Sequence, residues 1–464
     1  MSSAQSVRSH SAELKKELGL GDLVLTQIMY VVGTGWVGTA AKLGNQQIVF
    51  WLAAIVLFYA PLAAAVIYLN RMMPLEGGLY QWAKLGFNDF IGFLVGWNLW
   101  LYVILIVATL GVGIANNLGY AFHLGATGGA TWFMLLVTCL LVVFLVSVTT
   151  LGLGVGKWFQ NAGGIAQILV FATLILIPFV VPRGAAARAY HPLAATAPAI
   201  SLFSVNIFSK ISMGAFCGFE YVAILAGECK NPARNISRSV LIASPIICLM
   251  FILGTSSVLA FVSPGQVDLV GPIPQALTLA LGRFRWAGLV APAAILLLIG
   301  RQIGNCSLST AGSARLPMVA GWDHLLPEWF SRLHPKYKTP VNSILFVGAM
   351  ILTLGLLGIT GVGQQEAFQI LDSAAGVFYA LAYLALFALP LVGFRETSQK
   401  PPLWLRVAMA SGFLVTALYC VMSLFPIIDV TSRLSFAAKI GGVIVGANVI
   451  GAWLYRVGSR KRAE

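Results

Sequence analysis

Four ionisable residues stand inside long apolar stretches of this chain: Lys210, Glu220, Arg301 and Asp372. A charge in such surroundings is costly unless it is paired, hydrogen-bonded or open to water, so each is a candidate for binding or proton chemistry. Two glycine clusters lie in similar stretches: Gly33-Thr34-Gly35, with Gly38 one turn later, and Gly214-Ala215-Phe216-Cys217-Gly218-Phe219-Glu220. Glycine weakens a helix and frees its backbone. A break at the first cluster exposes the N–H groups of the following half-helix, whose positive end suits a carboxylate. Carbonyls at both breaks suit an ammonium group. One zwitterion satisfies both sets, with Thr34 and Gly35 N–H facing the carboxylate and the carbonyls of Val31, Gly214 and Cys217 facing the amine. Trp36 follows the first glycines directly, so its ring lies at that break.

The elements that hold these groups follow from composition. Of 464 residues 59% are hydrophobic and 9% charged, too little polar surface to cover a water-soluble globule. Lipid is the expected solvent, and unbroken apolar runs without alternation indicate helices, not barrel strands. Twelve stretches reach spanning length: 23–43, 48–69, 91–122, 131–150, 160–181, 202–226, 239–262, 288–312, 341–361, 367–391, 404–425 and 436–456. Residues 1–22 form an amphipathic or disordered lead without a cleavage site, 23–456 a single membrane domain, and 457–464 a basic tail. Six cysteines without paired spacing argue against a disulfide framework or zinc site. No histidine pair, metal spacing or nucleophile constellation lies in the spans, so no catalytic residue, metal or cofactor is expected, and the chain does not read as an enzyme.

Twelve spans place both termini on one side. With that side inside, the cytoplasmic segments hold 20 of the 29 Lys and Arg and the opposite side seven, so both termini are expected in the cytoplasm at the plasma membrane. This count assigns Arg315 to the loop after span 8 and Lys157 to the connection before span 5. The formal charge of +14 is spread over loops instead of gathered in one patch, which fits anionic headgroups better than nucleic acid.

The two breaks fall five spans apart, in segments of opposite orientation, as a pair of inverted five-helix repeats would place them; close helix packing is the other use of such glycines. The chain resembles the amino acid, polyamine and organocation transporter superfamily. The resemblance rests on the span 1 glycines, Met73-Pro74-Leu75-Glu76-Gly77-Gly78-Leu79-Tyr80, Ala215-Phe216-Cys217-Gly218-Phe219-Glu220 and Glu228-Cys229-Lys230-Asn231-Pro232-Ala233-Arg234-Asn235-Ile236. It continues through Leu325-Leu326-Pro327 and His334-Pro335 to Thr339-Pro340. It implies an all-α leucine-transporter fold, spans 1–5 and 6–10 as inverted repeats plus two extra helices, and alternating access.

By similarity, Tyr102 in span 3 and Ser309 in span 8 fall at substrate level, with Asn305 one turn further out, and the run Gly214-Ala215-Phe216-Cys217-Gly218 borders the substrate with Val31, Gly33, Thr34, Gly35 and Trp36. Glu220 bonds neighbouring helix ends or titrates during transport. Lys210 and Arg301 either line an outer vestibule or pair with Asp372. Charged side chains from Glu228 to Arg238 either latch an inner gate or stay solvated. In some proton-linked members a lysine in span 5 replaces a sodium ion; here Gln167 or Ile168 stands there.

The family commonly carries an aromatic residue where this chain has Gly214. Either the pocket is enlarged, which would favour large neutral amino acids, or another ring such as Trp36 or Phe216 folds over instead. The expected function is secondary transport of amino acids by uniport, proton symport or exchange. A polyamine or other organic-cation carrier is the runner-up, and a non-transporting sensor stands third.

Overall fold

The structure is a computed structural model and describes residues 16–125, 127, 130–181, 192–282, 284, 289–322, 325–359, 364–392, 401–428, 430 and 432–463. The fold is all-α. Among the described residues the one bridge of β type joins Leu18 to Cys229.

Span 1 is two helices, α1 (Leu20–Val31) and α2 (Thr34–Ala41), bent by 42° at Val32-Gly33. Span 2 runs through α3 (Gln47–Ala54), a π-helical turn (Ile55–Tyr59) and α4 (Ala60–Met72). A short helix in the connection, α5 (Leu79–Gly86), was not foreseen from sequence. Then come α6 (Asp89–Ala121), α7 (Thr131–Leu151) and α8 (Leu153–Val180). Span 6 is α9 (Leu202–Ser209), a π-helical turn (Lys210–Ala215), an irregular stretch and the four-residue α10 (Tyr221–Ile224). The second half holds α11 (Pro232–Phe261), the unforeseen α12 (Pro272–Leu281), α13 (Val290–Trp322), α14 (Val341–Ile359), α15 (Gln364–Val392), α16 (Leu403–Met422) and α17 (Arg433–Ala463).

Nine helices among the described residues are long and apolar enough to cross a membrane, and the bent pair α1–α2 makes a tenth candidate. They match spans 1–5, 7, 8 and 10–12 of the sequence reading. Span 9 is represented by the shorter α14, and span 6 is interrupted at the expected glycines.

Several boundaries move. α13 continues ten residues past the expected end at 312, which places Arg315 inside the helix and buried, not in a loop. Its charge is tolerated there because two carboxylates meet it, as described below. α8 begins early enough to include Lys157, which pairs with Glu17 at 3.2 Å. α1 starts at Leu20, and Lys16–Gly19 are docked against the span 6–7 connection; residues 1–15 lie outside the described set. α17 runs through the expected tail.

Local chemistry sets the ends that matter. Asn88 caps α6 by accepting from Ile91 N–H at 2.9 Å, and Ser201 caps α9 by accepting from Ser204 N–H at 3.1 Å. Between spans, lipid offers no hydrophobic drive, so packing and polar pairs hold the bundle. Trp51 Nε1 donates to Thr255 Oγ1 (3.1 Å), Gln47 Nε2 to Ser256 Oγ (3.0 Å) and Gln27 Nε2 to Ser239 Oγ (3.0 Å), tying α3 and α1 to α11. Asn117 Nδ2 donates to Gln302 Oε1 at 2.9 Å, tying α6 to α13. Each such bond is worth about 0.6 kcal/mol in a bilayer, so the set acts as register more than as strength. Large apolar side chains such as Leu140, Val143, Phe179 and Trp453 point outward, as a lipid-facing surface requires.

Candidate transport cavity

At the Val32-Gly33 break the C-terminal carbonyls of α1 have no helical partners. They are taken from elsewhere in the chain. Arg301 Nη2, from α13, donates to Val32 O at 2.7 Å and to Met29 O at 3.0 Å; Gln167 Nε2, from α8, adds a bond to Val32 O at 3.1 Å. Arg301 is 2% exposed, and among the described residues no carboxylate pairs with it. Its charge is balanced by the negative end of α1. Gln167, one of the two residues compared above with a span 5 lysine, thus shares the Val32 carbonyl with a cation from span 8.

Beyond the break, the first N–H groups of α2 border a cavity of about 140 Å³. Val31, Gly33, Thr34, Gly35 and Trp36 line it from span 1, and Lys210, Gly214 and Cys217 from span 6. Tyr102 and Thr109 of α6, Arg301, Gln302 and Asn305 of α13, and Gln369, Asp372 and Tyr379 of α15 also line it. The Val31 carbonyl accepts Gly33 N–H at 2.8 Å and the Gly214 carbonyl accepts the Cys217 thiol at 3.3 Å, so each keeps one lone pair.

Trp36 resolves the alternatives left at Gly214. A Cβ at position 214 would stand 2.3 Å from Trp36 Cη2, and one at Gly33 would stand 2.5 Å from Trp36 Cδ1. The indole therefore lies between both glycine breaks and fills the volume that an aromatic side chain at 214 would occupy. The enlarged pocket, and with it the argument for large neutral substrates, loses its physical basis.

Other expected residues lie off the cavity. Phe216 turns into a buried aromatic cluster, stacked on Tyr59 (4.3 Å) and edge-on to Trp51 (5.2 Å) and Phe251 (5.3 Å). Ala215 is fully buried, and Gly218 donates its N–H to Tyr383 Oη at 2.8 Å. Ser309 bonds Asn305 Oδ1 at 3.1 Å while its carbonyl accepts from Tyr221 Oη at 2.6 Å. Glu220, fully buried, accepts hydroxyl protons from Tyr379 and Tyr383, one on each oxygen. Tyr102 stacks on Tyr379 at 3.9 Å and Tyr30 on Tyr221 at 4.3 Å, so a layer of tyrosines closes the side of the cavity towards Glu220. Lys210 and Asp372 both line the cavity, but they form no ion pair; the Lys210 ammonium bonds Ser373 Oγ at 3.5 Å.

Sequence reasoning passed over Gln302 and Gln369. Gln302 adjoins Arg301 in an otherwise apolar run, a signal that was available. Both amide atoms of Gln369 are buried without a partner among the described residues.

Below the tyrosines lies a second polar cluster. Arg315 Nε donates to Glu228 and stands 3.9 Å from Glu76 Oε1, while Gly227 N–H donates to Glu76 Oε2 at 2.5 Å. Lys16 Nζ reaches the Gly227 carbonyl, and the amides of Glu17 and Leu18 donate to Glu228 O at 3.0 and 3.1 Å. The Gly77-Gly78 turn makes this approach possible: Gly78 has φ +46°, and a Cβ there would stand 2.9 Å from the Ala223 backbone. Four separate segments are joined, the N-terminal lead, the turn after α4, the end of span 6 and α13. Burial and the neighbouring charge of Glu228 hold the Glu76 carboxyl above its ordinary range, despite Arg315.

A profile of the amino acid permease family matches residues 18–447. The chain is 26% identical to the branched-chain amino acid permease BcaP of Bacillus subtilis over 395 residues, covering 79% of this chain and 81% of that one. It is 24% identical to the methylthioribose transporter of Bacillus subtilis, covering 80% and 82% of the two chains. It is 22% identical to the probable agmatine/putrescine antiporter AguD of Lactococcus lactis, covering 86% and 84%. Broken spans, apolar surface and profile agree: the chain belongs to the amino acid permease family, within the amino acid, polyamine and organocation transporter superfamily.

Proposed function

We propose that this permease is a secondary transporter of amino acids working by alternating access across the plasma membrane, with both termini in the cytoplasm. Its spans are read as twelve, with the first ten arranged as two inverted repeats. The observation that supports the reading is the cavity between the two helix breaks, which Thr34 and Gly35 line together with Val31, Gly214 and Cys217. The carboxylate sits at Thr34 and Gly35 N–H, the amine at the carbonyls of Val31, Gly214 and Cys217, and Trp36 covers the pair. The side chain extends towards Tyr102 and Gln369. A cavity of about 150 Å³ holds one benzene, so the volume found here favours small and mid-sized side chains over the bulkiest ones.

Gly35 provides the test. A leucine at that position places its side chain in the carboxylate site, with its Cβ already 3.3 Å from the Leu269 carbonyl. Gly35→Leu is expected to insert normally and lose at least about tenfold in amino acid affinity, the worth of one charge-assisted hydrogen bond or more. Thermal-shift titration of purified protein reads this, and unchanged affinity removes the site. Counterflow in liposomes separates transport from sensing.

A polyamine substrate is opposed by the charges of the wall, where among the described residues Lys210 and Arg301 stand against one carboxylate, Asp372. Arg301 already occupies the α1 carbonyls that a coupling cation would use, so we assign no sodium to that place.

Glu220 is assigned a structural role, since two tyrosine hydroxyls already serve its carboxylate. We place the pH sensitivity of transport in the lower cluster instead. There Glu76 faces Glu228, Arg315, Lys16 and Cys229. The closed cluster raises the Glu76 pKa, so it binds the proton more tightly than an opened one does. Its stability is full at low pH and falls as pH rises through the raised value. Glu76→Gln is expected to flatten the pH dependence of uptake above the ordinary carboxyl range, and Glu220→Gln to leave its shape intact. The reverse outcome assigns coupling to Glu220.

A further inference from the structure

A groove of about 750 Å³ lies on the lipid-facing surface, remote from the transport cavity and bounded by α4, α11 and the start of α16. Residues 60, 63, 64, 67, 68 and 71 of α4 border it, at the spacing of one helix face. Three of them, Ala60, Ala63 and Ala64, are alanines, which leaves the face hollow. Ser411 Oγ donates to Leu57 O of the π-helical turn before α4 at 2.7 Å, which sets α16 beside it, and Pro245 within α11 stands opposite. Tyr59 lines the groove towards one end, with Ile55 one turn beyond it. At the other end stand Arg71, exposed in the last turn of α4, and Trp404, 64% exposed. Arg71 has no ion pair among the described residues.

We propose that this groove seats one acyl chain of an anionic phospholipid, with its phosphate held at Arg71. Three features select this occupant. The α-helical rise of about 1.5 Å per residue separates Tyr59 from Arg71 by about 18 Å, and the hydrocarbon of one leaflet is about 15 Å thick. The charged end lies on the side where the sequence gathers its basic residues, and Trp404 beside it is the residue type that settles at headgroup level. The remaining wall is almost entirely apolar and already faces lipid. Tyr59 also stacks on Phe216 (4.3 Å) and Phe219 (4.8 Å), the residues that follow the span 6 π-helical turn. A chain in the groove therefore presses on the same ring that supports the break, and bound lipid biases the transport cavity through it.

The test uses the full chain in nanodiscs containing phosphatidylglycerol and phosphatidylcholine in equal amounts, with retained lipid counted by native mass spectrometry. Wild-type protein is expected to retain phosphatidylglycerol preferentially. Arg71→Gln, at an exposed position, should cut that preference about fivefold, the worth of one basic residue at a membrane surface. Ala64→Trp, which fills the groove, should remove retention of that lipid altogether. Equal retention of the two lipids by wild type overturns the proposal, as does wild-type retention by both variants. Displacement of the lipid by an added sterol or by a second membrane protein, with Arg71→Gln indifferent, also overturns it. Lipid counting does not depend on which substrate is carried, so it fails or succeeds independently of the function proposed above.

Discussion

Replacing Arg301 with methionine is expected to reduce amino acid uptake at least about tenfold while the chain still reaches the membrane. The side chain keeps an apolar stem of similar width, is shorter by the guanidinium head, and loses two hydrogen bonds from a charged donor to Met29 O and Val32 O. Such bonds contribute about 1.5 to 3 kcal/mol each, and the carbonyls they leave behind are buried. Gln167 on Val32 O and the longer bond from Asn305 Nδ2 to Met29 O, 3.4 Å, then hold the end of α1. The position of α1 relative to α2 sets the carboxylate site, so a shift at the break is felt as lost affinity and not only as lost stability. Arg301→Lys should recover part of the activity, because an ammonium keeps the charge without the fork that spans both carbonyls. Wild-type uptake should be unchanged when choline replaces sodium in the buffer. Uptake by Arg301→Met at the wild-type rate would sink this assignment, and a sodium requirement in the wild type would sink the reading of Arg301 as the resident cation.

The second large effect is expected from Gly214→Phe, which should abolish uptake of small and mid-sized amino acids alike. Its Cβ alone overlaps the Trp36 ring, and overpacking of this kind costs about 1 to 3 kcal/mol. The other edge of the ring lies against Gly33, so the ring can yield only into the cavity, where the substrate must sit. Adding Trp36→Ala removes the obstruction and returns an aromatic cover to the cavity from the opposite helix. The double variant should therefore recover several-fold over Gly214→Phe. Trp36→Ala alone should weaken retention of substrate by leaving both breaks uncovered. Radiolabelled uptake in liposomes by the four proteins, wild type included, completes the cycle. If the two changes are simply additive, the indole and residue 214 do not compete for one volume.

Both breaks were legible because glycine inside an apolar run is a local signal, and the ten spanning candidates were legible for the same reason. The site residues were less so. The span 6 motif is a contiguous string, but a broken helix does not present contiguous residues to one cavity: Gly214 and Cys217 face it while Ala215, Phe216 and Gly218 turn away. Ser309 shares the face of α13 that carries Arg301 and Asn305, yet it lies one turn past the level of the cavity, bonded back to Asn305 Oδ1. Arg315 was hidden by a boundary, since its charge argued for a loop when its partners, Glu76 and Glu228, lie far away in sequence. Burial of a charge is decided by partners that no local window contains. The direction of the Trp36 ring was left open for the same reason, because Gly214 alone does not say what fills its empty space.

The bond from Arg301 to Met29 also has a consequence for the making of the protein. Its two ends are separated by 272 residues. At the ordinary pace of synthesis, about 5 to 20 residues per second, the first span has left the ribosome for roughly 15 to 50 s before the residue that completes it is made. During that interval the last carbonyls of α1 face a hydrocarbon solvent that cannot satisfy them. The first span therefore cannot rest in its final form when it is inserted. It must be kept near the headgroups, or sheltered by the insertion machinery, until α13 arrives, and a chain that stops short of Arg301 ends with its opening segment unfinished.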